Sequence, residues 1–272
     1  MPGLLARGHE VVALVRSDTA AAAVSELRAE VLPGDLDDPA GLDEAFASAG
    51  ADALANLASL GFGHAATVVA AAEEAGIERA VFVSTTAIFT SLPAASRAVR
   101  VAAEETIQNS GLQWTIVRPT MIYGRPNDRN LARLLAFVRH SPVVPLPGGG
   151  RRLIQPVHVD DLAEFIAMAL EADAAIGGVY DVAGPKALTL RQIVEASGQA
   201  LGRRPWLVPL PLGPTVVAVR AYERLSKKPR LKVEQVLRLN EDKTVDIGAA
   251  ESLGYAPRSF AEGIEQEVAL LR

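Results

Sequence analysis

An α/β fold, built on a doubly wound parallel sheet with a smaller loop-rich lobe, is what this sequence predicts. Three observations carry that prediction. Short apolar runs alternate with alanine-rich helical segments from Val11 to Val117, the rhythm of βαβ units. The strand-like runs are nearly uniform in character, as in "AVFVS" at 80–84, which suits strands covered on both faces. Beyond Gly124 the rhythm breaks, and Pro and Gly gather in "SPVVPLPGGG" (141–150) and "GRRPWLVPLPLGP" (202–214).

Each element has a local reason. Leu4–Arg7 reads as the last turn of a helix, with Gly8 where a C-cap sits. Glu10–Arg16 is a strand ending in a cation, its β-branched stretch being Val11–Val15. Thr19–Ala29 is an alanine-rich helix, and Glu30–Leu32 a strand running into Gly34-Asp35-Leu36. Pro39–Ala49 is helical behind the cap candidates Asp37 and Asp38. Asp52–Ala58 is a strand, His64–Ala75 a helix and Ala80–Ser84 a strand. The segment 94–110 is helical and stops at Gly111, and Trp114–Val117 is the next strand. The resulting organisation is a nucleotide-binding domain over 1–124 and 153–184. The lobe takes 125–152 and 185–272.

Composition removes several function classes. A chain of 272 residues with a net charge of −5 is a poor general nucleic-acid binder, because such binding rests on neutralising phosphates. No cysteine occurs, which excludes disulfides, thiolate metal sites and cysteine nucleophiles. The four histidines (9, 64, 140, 158) show no ligand spacing, and no metal is expected. No apolar run approaches the roughly 20 residues of a membrane span, so a cytoplasmic protein with a small-molecule substrate is expected. The run "SKKPRLK" (226–232) reads as a solvated helix-to-loop junction, since its Pro breaks a basic amphipathic face.

Six short stretches occur in one order: "GDLDD" (34–38), "NLAS" (56–59), "VFVSTTAIF" (81–89), "VRPTMIYGRPND" (117–128), "PVHVDDLAEFI" (156–166) and "GGVYDVAGP" (177–185). Together they resemble the extended and atypical short-chain dehydrogenase/reductases, the NAD(P)-dependent epimerase/dehydratase family. The closing "QVLRLNEDKTVDIGAAESLGYAPRSFAEGI" (235–264) is similar to the tail of such proteins. The resemblance implies a Rossmann-type sheet of strand order 3-2-1-4-5-6-7 and a discontinuous C-terminal substrate lobe. It also implies a first strand and a G-x-x-G-x-x-G turn that holds the cofactor pyrophosphate. Leu4–Gly8 resembles the end of the helix after that turn, so the expected sheet lacks its first strand. Val11–Val15 should then pair with Glu30–Leu32 and leave an open slot towards Asp52–Ala58. Unpaired backbone groups in a buried slot would leave the chain marginally stable and weaken its hold on a dinucleotide. "LGFGHAA" (60–66) fits G-x-G-x-x-A, but no acid ends the following strand to take ribose hydroxyls. A loop after a strand is the expected reading.

The resemblance assigns cofactor contacts residue by residue. Arg16 ends the second family strand, where a cation suits the 2′-phosphate of NADP(H) over NAD(H). Asp35 and Leu36 match the adenine position, and Ala58 the small residue that lets the cofactor cross a strand end. Ser84 matches the position beside the nicotinamide ribose, and Pro119 and Thr120 the segment flanking the nicotinamide amide. Family catalysis uses a Ser/Thr with a Tyr and a Lys in Y-x3-K, the tyrosine serving as acid/base. Thr86 falls in the Ser/Thr slot. The helix reads "AASRAVRVAAEE", which puts Ser96 at Tyr, Arg100 at Lys and Glu104 at a following Glu. Arg100 is a permanent cation able to hold a ribose or phosphate, whereas a serine cannot replace a phenol as acid. His158 with Asp160-Asp161 is expected to be structural, an Asp capping the next helix.

Two functions follow from the resemblance. One is an NAD(P)-dependent oxidoreductase acting on a nucleotide sugar or related carbonyl/alcohol compound, impaired by its departures. The other is a non-catalytic nucleotide-binding protein resembling the accessory subunit of respiratory complex I. Family dimers pair two helices into a four-helix bundle, which implies a homodimer through 64–75 and 94–110.

Overall fold

A computed structural model of the protein describes residues 1–92, 95–126, 128, 131–226, 229 and 232–271. Ala94, Asn127 and most of "SKKPRLK" lie outside the described residues. Helix α1 (Pro2–Ala6) leads into β1 (Val12–Val15), α2 (Asp18–Ser25) and β2 (Glu30–Pro33). Then come α3 (Pro39–Ala49), β3 (Ala53–Asn56), α4 (Ala65–Glu74), β4 (Arg79–Val83), α5 (Ala95–Gln108) and β5 (Gln113–Pro119). Side chains fix the helix starts: Ser17 accepts from the Ala20 amide, and Asp38 from the Gly41 amide ahead of a proline at the first position.

Strands β3, β4 and β5 lie side by side and parallel, and β10 (Val179–Val182) adds beyond β5. β1 pairs in parallel with β2, Val12 opposite Glu30 and Val15 opposite Pro33. Among the described residues, the edge of β1 away from β2 and the edge of β3 away from β4 carry no strand. The expected pairing therefore forms, and the two edges have not closed on one another. One expectation needs correcting. All four residues of β1 and three of the four in β3 are half-buried rather than buried, so these edges lie within reach of water.

The sheet is covered on both faces, as its uniform strands require. Phe82 and Ile116 point into a layer with Leu42 and Phe46 of α3, Val68 and Ala72 of α4, and Ile107 of α5. Their neighbours Val81 and Val117 point the other way, towards Phe165 of α7 (Val159–Glu171) and Ala250 of α11 (Gly248–Ser252). Leu14 of β1 and Leu54 of β3 pack on the first layer together, which ties the two-stranded piece to the four-stranded one. Arg7 adds ion pairs to Glu164 and Glu171 of α7.

The lobe has its own core. Between β5 and α7 come β6 (Ile122–Tyr123), α6 (Leu131–His140), β7 (Val143–Pro147), β8 (Leu153–Ile154) and β9 (Val157–His158). After β10 come β11 (Leu188–Thr189), α8 (Leu190–Ala200), β12 (Trp206–Leu210), α9 (Leu212–Leu225) and α10 (Val233–Arg238), with α12 (Phe260–Ala269) last. Leu131, Leu135, Leu146, Ile193 and Ile264 form its interior.

Between β6 and α6 stands Gly124, whose φ of 116° favours glycine. A Cβ there would come within 2.5 Å of His158 Nε2. The Gly124 amide donates to Glu267 Oε2 (3.1 Å), and Glu267 on α12 is fully buried. Its carboxyl also shares a hydrogen bond with Asp128, which caps α6 through the amides of Leu131 (2.7 Å) and Ala132 (3.2 Å). Burial first, and then Asp128, push the Glu267 carboxyl up to about 8, so it holds a proton at neutral pH.

The folded chain thus keeps a proton that the unfolded chain loses near the ordinary carboxylate range. Stability should fall as pH rises from about 4.5 and level off above about 8, by at most about 1.4 kcal/mol per pH unit. Glu267→Gln should flatten that slope, read by urea denaturation at pH 5, 7 and 8.5. Parallel profiles for the two proteins would remove the argument.

Candidate dinucleotide site

Parallel strands gather their carboxyl ends on one edge of the sheet, where the loops are free to bind. At that edge β1 ends in Arg16, which is exposed, and β2 runs into Gly34-Asp35-Leu36, where Asp35 and Leu36 are half-buried. The Asp35 carboxylate accepts from the Asp37 amide (3.1 Å). β3 ends at Asn56, whose amide donates to the Ala58 carbonyl (3.4 Å), with Ala58 half-buried. A 3-10 turn over Leu60–Phe62 follows, capped by Ser59. Gly61 in that turn lies against α5: a Cβ would meet the Arg100 guanidinium at 3.0–3.2 Å. Gly61 of "LGFGHAA" therefore serves close packing on α5, and Gly63 ends the turn at a φ of 90°.

The ends of β4 and β5 carry the polar groups. Ser84 is buried and its hydroxyl donates to Glu104 Oε1 (2.5 Å). Glu104 is buried on α5 and takes Arg118 of β5 from both sides, Nε at 3.1 and 3.2 Å with Nη2 on Oε2. The Arg118 guanidinium also lies 5.3 Å from the Phe89 ring centroid. Asp181 stands opposite Arg118 in the β5–β10 register. Burial pushes its carboxyl pKa up against the pull of Arg118. Thr86 donates to the Pro119 carbonyl (3.3 Å), and Thr120 to the Gln155 carbonyl. One turn apart on α5, Arg100 Nη1 donates to Ser96 Oγ at 2.6 Å.

The structure thus brings Thr86 to Pro119 and Arg100 to Ser96, and it commits Ser84 to Glu104. Arg16, Asp35 and Leu36 stand at the end of the β1–β2 pair. No phenol sits on α5. Tyr123 is buried edge-on to His158 (centroids 5.2 Å apart), Tyr180 donates to the Ala174 carbonyl (3.3 Å) and Tyr255 to the Ala183 carbonyl (2.9 Å). Burial pushes the pKa of both Tyr123 and Tyr255 upwards. His158 is structural, but the capping assignment changes: its own Nδ1 accepts from the Asp160 amide (3.2 Å) and caps α7. Burial lowers its pKa and favours the neutral ring that such a cap needs. Asp161 instead binds Arg258, through its amide (3.0 Å) and its Nε (2.8 Å).

Two features escaped the sequence reading. Arg118 was signalled by a cation inside the apolar run "TIVRPT", a setting in which partial burial favours pairing. Glu241 had no such signal. From the lobe it accepts from Thr90 Oγ1 (2.8 Å), the Ser91 amide (2.8 Å) and Ser91 Oγ (2.9 Å), clasping the loop after Thr86. Burial opposes ionisation of that carboxyl, but the donors from Ser91 and Thr90 outweigh it and lower its pKa. Among the described residues no cluster of acidic groups and histidines is placed to hold a metal, and no helix is long and apolar enough to cross a membrane.

Glu104→Ala would leave the half-buried Arg118 guanidinium without its carboxylate. A loss of about 1–3 kcal/mol is expected, the range for a hydrogen-bonded group left without its partner. Chemical denaturation measures it, and a loss under about 1 kcal/mol would show the pair to be solvated.

The NAD(P)H-binding family profile matches residues 1–173. The chain is 33% identical, over 56% of its length, to the mitochondrial NADH dehydrogenase (ubiquinone) 1 alpha subcomplex subunit 9 of Arabidopsis thaliana. That match spans 38% of the plant protein, and matches to several other curated relatives span 21% to 56% of theirs. A 4-hydroxy-2-methyl-3-oxo-4-farnesyl-3,4-dihydroquinoline-1-oxide ketoreductase of Stigmatella aurantiaca is 29% identical, covering 95% of this chain and 88% of that one. In three dimensions the chain is similar to a UDP-glucose 4-epimerase of Thermus thermophilus in complex with NAD. There the TM-score is 0.71 and the identity 24%, over 99% of this chain and 93% of that one. The chain belongs to the NAD(P)H-binding family and has the Rossmann-type fold of the short-chain dehydrogenase/reductase and epimerase/dehydratase group.

Proposed function

We propose that the protein is an NADP(H)-dependent oxidoreductase whose small-molecule substrate is a carbonyl or alcohol compound, a nucleotide sugar or a relative of one. The observation that carries this reading is the Arg100–Ser96 pair on α5 (2.6 Å), at the positions where the family has lysine and tyrosine. A bound nicotinamide supplies or accepts the hydride. Arg100 would hold the nicotinamide ribose as a fixed cation, oriented by Ser96, and water would exchange the proton with the substrate oxygen, since a serine cannot replace a phenol as acid. Pro119, Thr120 and Thr86 would border the nicotinamide end. Asp35, Leu36 and Ala58 would border the adenosine end, and Ser84, fixed by Glu104, would stand beside the nicotinamide ribose. Two copies are proposed to associate through α4 and α5, as in family dimers.

A second reading, non-catalytic nucleotide binding, is favoured by a specific observation. Three of the four tyrosines are buried in packing roles, and none stands on α5. The likeness to a complex I subunit supports it too. Following NADPH absorbance against nucleotide sugars and small ketones separates the two readings. Turnover that falls about 10²-fold or more in Arg100→Ala supports the enzyme. Dinucleotide binding without any turnover supports the binding protein.

Cofactor choice should rest on Arg16. Its cation and the 2′-phosphate would form a charge-assisted contact of about 1.5–3 kcal/mol, so calorimetry should show NADPH bound more tightly than NADH. Arg16→Glu should erase or reverse the preference. Equal affinities in the native protein would end this assignment.

A further inference from the structure

Helix α9 is built inside out. Its inward side presents Leu212, Val216, Val219 and Glu223, with Val219 buried and Glu223 accepting from the Val233 amide of the α10 start (3.1 Å). Its outward side is the more apolar one. Pro214, Val217, Ala218, Ala221 and Leu225 recur at helical spacing, and all five are exposed. Leu225 is 87% exposed and Val217 68%. The strand leading into the helix adds Trp206 at 77% exposure. A stripe of this kind on a folded surface marks an interaction site.

Charge chooses among partners. The whole chain carries −5, yet from Arg203 to Lys232 the sequence holds eight Lys and Arg residues and a single acid, Glu223. Arg220 and Arg224 are exposed beside the stripe. An apolar face bordered by cations, on a helix packed against α10, matches the surface of an anionic lipid bilayer. A second copy of this chain would bring the same cations together and repel.

We propose that the outward face of α9, from Pro214 to Leu225, docks the lobe on anionic membrane surfaces without spanning them. Apolar side chains would enter the headgroup boundary, and Arg220 and Arg224 would meet lipid phosphates.

Co-sedimentation of the whole chain with vesicles tests this. Vesicles of equal parts phosphatidylcholine and phosphatidylglycerol should capture at least about tenfold more protein than phosphatidylcholine alone. The excess should shrink in about 0.5 M salt, where screening is strong. Val217→Asp with Leu225→Asp, and separately Arg220→Glu with Arg224→Glu, should each abolish capture while leaving the circular dichroism melt unchanged. Tryptophan emission should shift to the blue on anionic vesicles, and Trp206→Phe should remove the shift. No capture by anionic vesicles, or capture undiminished in both double variants, would overturn the proposal. A mass in light scattering that drops by half in Val217→Asp with Leu225→Asp would also overturn it, by assigning the face to a second copy.

Discussion

Two-sided burial of the parallel sheet is the constraint on which everything else in this molecule depends. In β4 the adjacent residues Val81 and Phe82 are both wholly buried, facing opposite helical layers. Adjacent side chains on a strand point to opposite faces, so neither face readily accepts a polar residue mid-strand. Polar chemistry is thereby driven to the strand ends. Ser84, Thr86, Pro119 and Thr120 stand where β4 and β5 finish, and polar groups concentrate there because burial disfavours them elsewhere.

Arg118 tests that rule, since it lies within β5 one residue before the end. The structure admits it by supplying Glu104 from α5, the Phe89 ring and, across the strand pair, Asp181. A half-buried cation beside two carboxyl groups is held best where its hydrogen bonds are nearly complete. Asp181 gives way, its carboxyl pushed towards the neutral form by burial. Ser84 then has no freedom left, because its hydroxyl completes the Glu104 shell. The α5 helix is in this way locked to the strand ends, and the Ser96–Arg100 pair is held at a fixed place along the same edge.

Much of this was legible in the sequence, for physical reasons. Pro39–Ala49 is bounded as read, since a cap, a first-position proline and a terminal glycine mark a helix through local bonds alone. The β1–β2 pairing and the open edges followed from topology. What the sequence hid was long-range or side-chain specific. The cap of α7 fell to His158, the residue just before the helix, while Asp161 inside the first turn binds Arg258, 97 positions away. The Glu241 clasp joins loops 150 positions apart, and no periodicity announces such a contact. The outward stripe of α9 was missed because a helix whose apolar residues face water has the same spacing as one whose apolar residues face the core.

The open edges show how stability and exposure are linked here. An unpaired amide costs about 1–3 kcal/mol when water cannot reach it, and a run of them would consume a domain's margin of about 5–15 kcal/mol. β1 and β3 avoid most of that cost by being half-buried, with Leu14 and Leu54 holding them to a common layer. The same compromise bears on the proposed site. Its nicotinamide side would rest on β4 and β5, paired on both edges. Its adenosine side would rest on β1 and β2, anchored by side chains and by the ion pairs of Arg7 to α7. A ligand that spans the two would therefore bridge the open edges of β1 and β3.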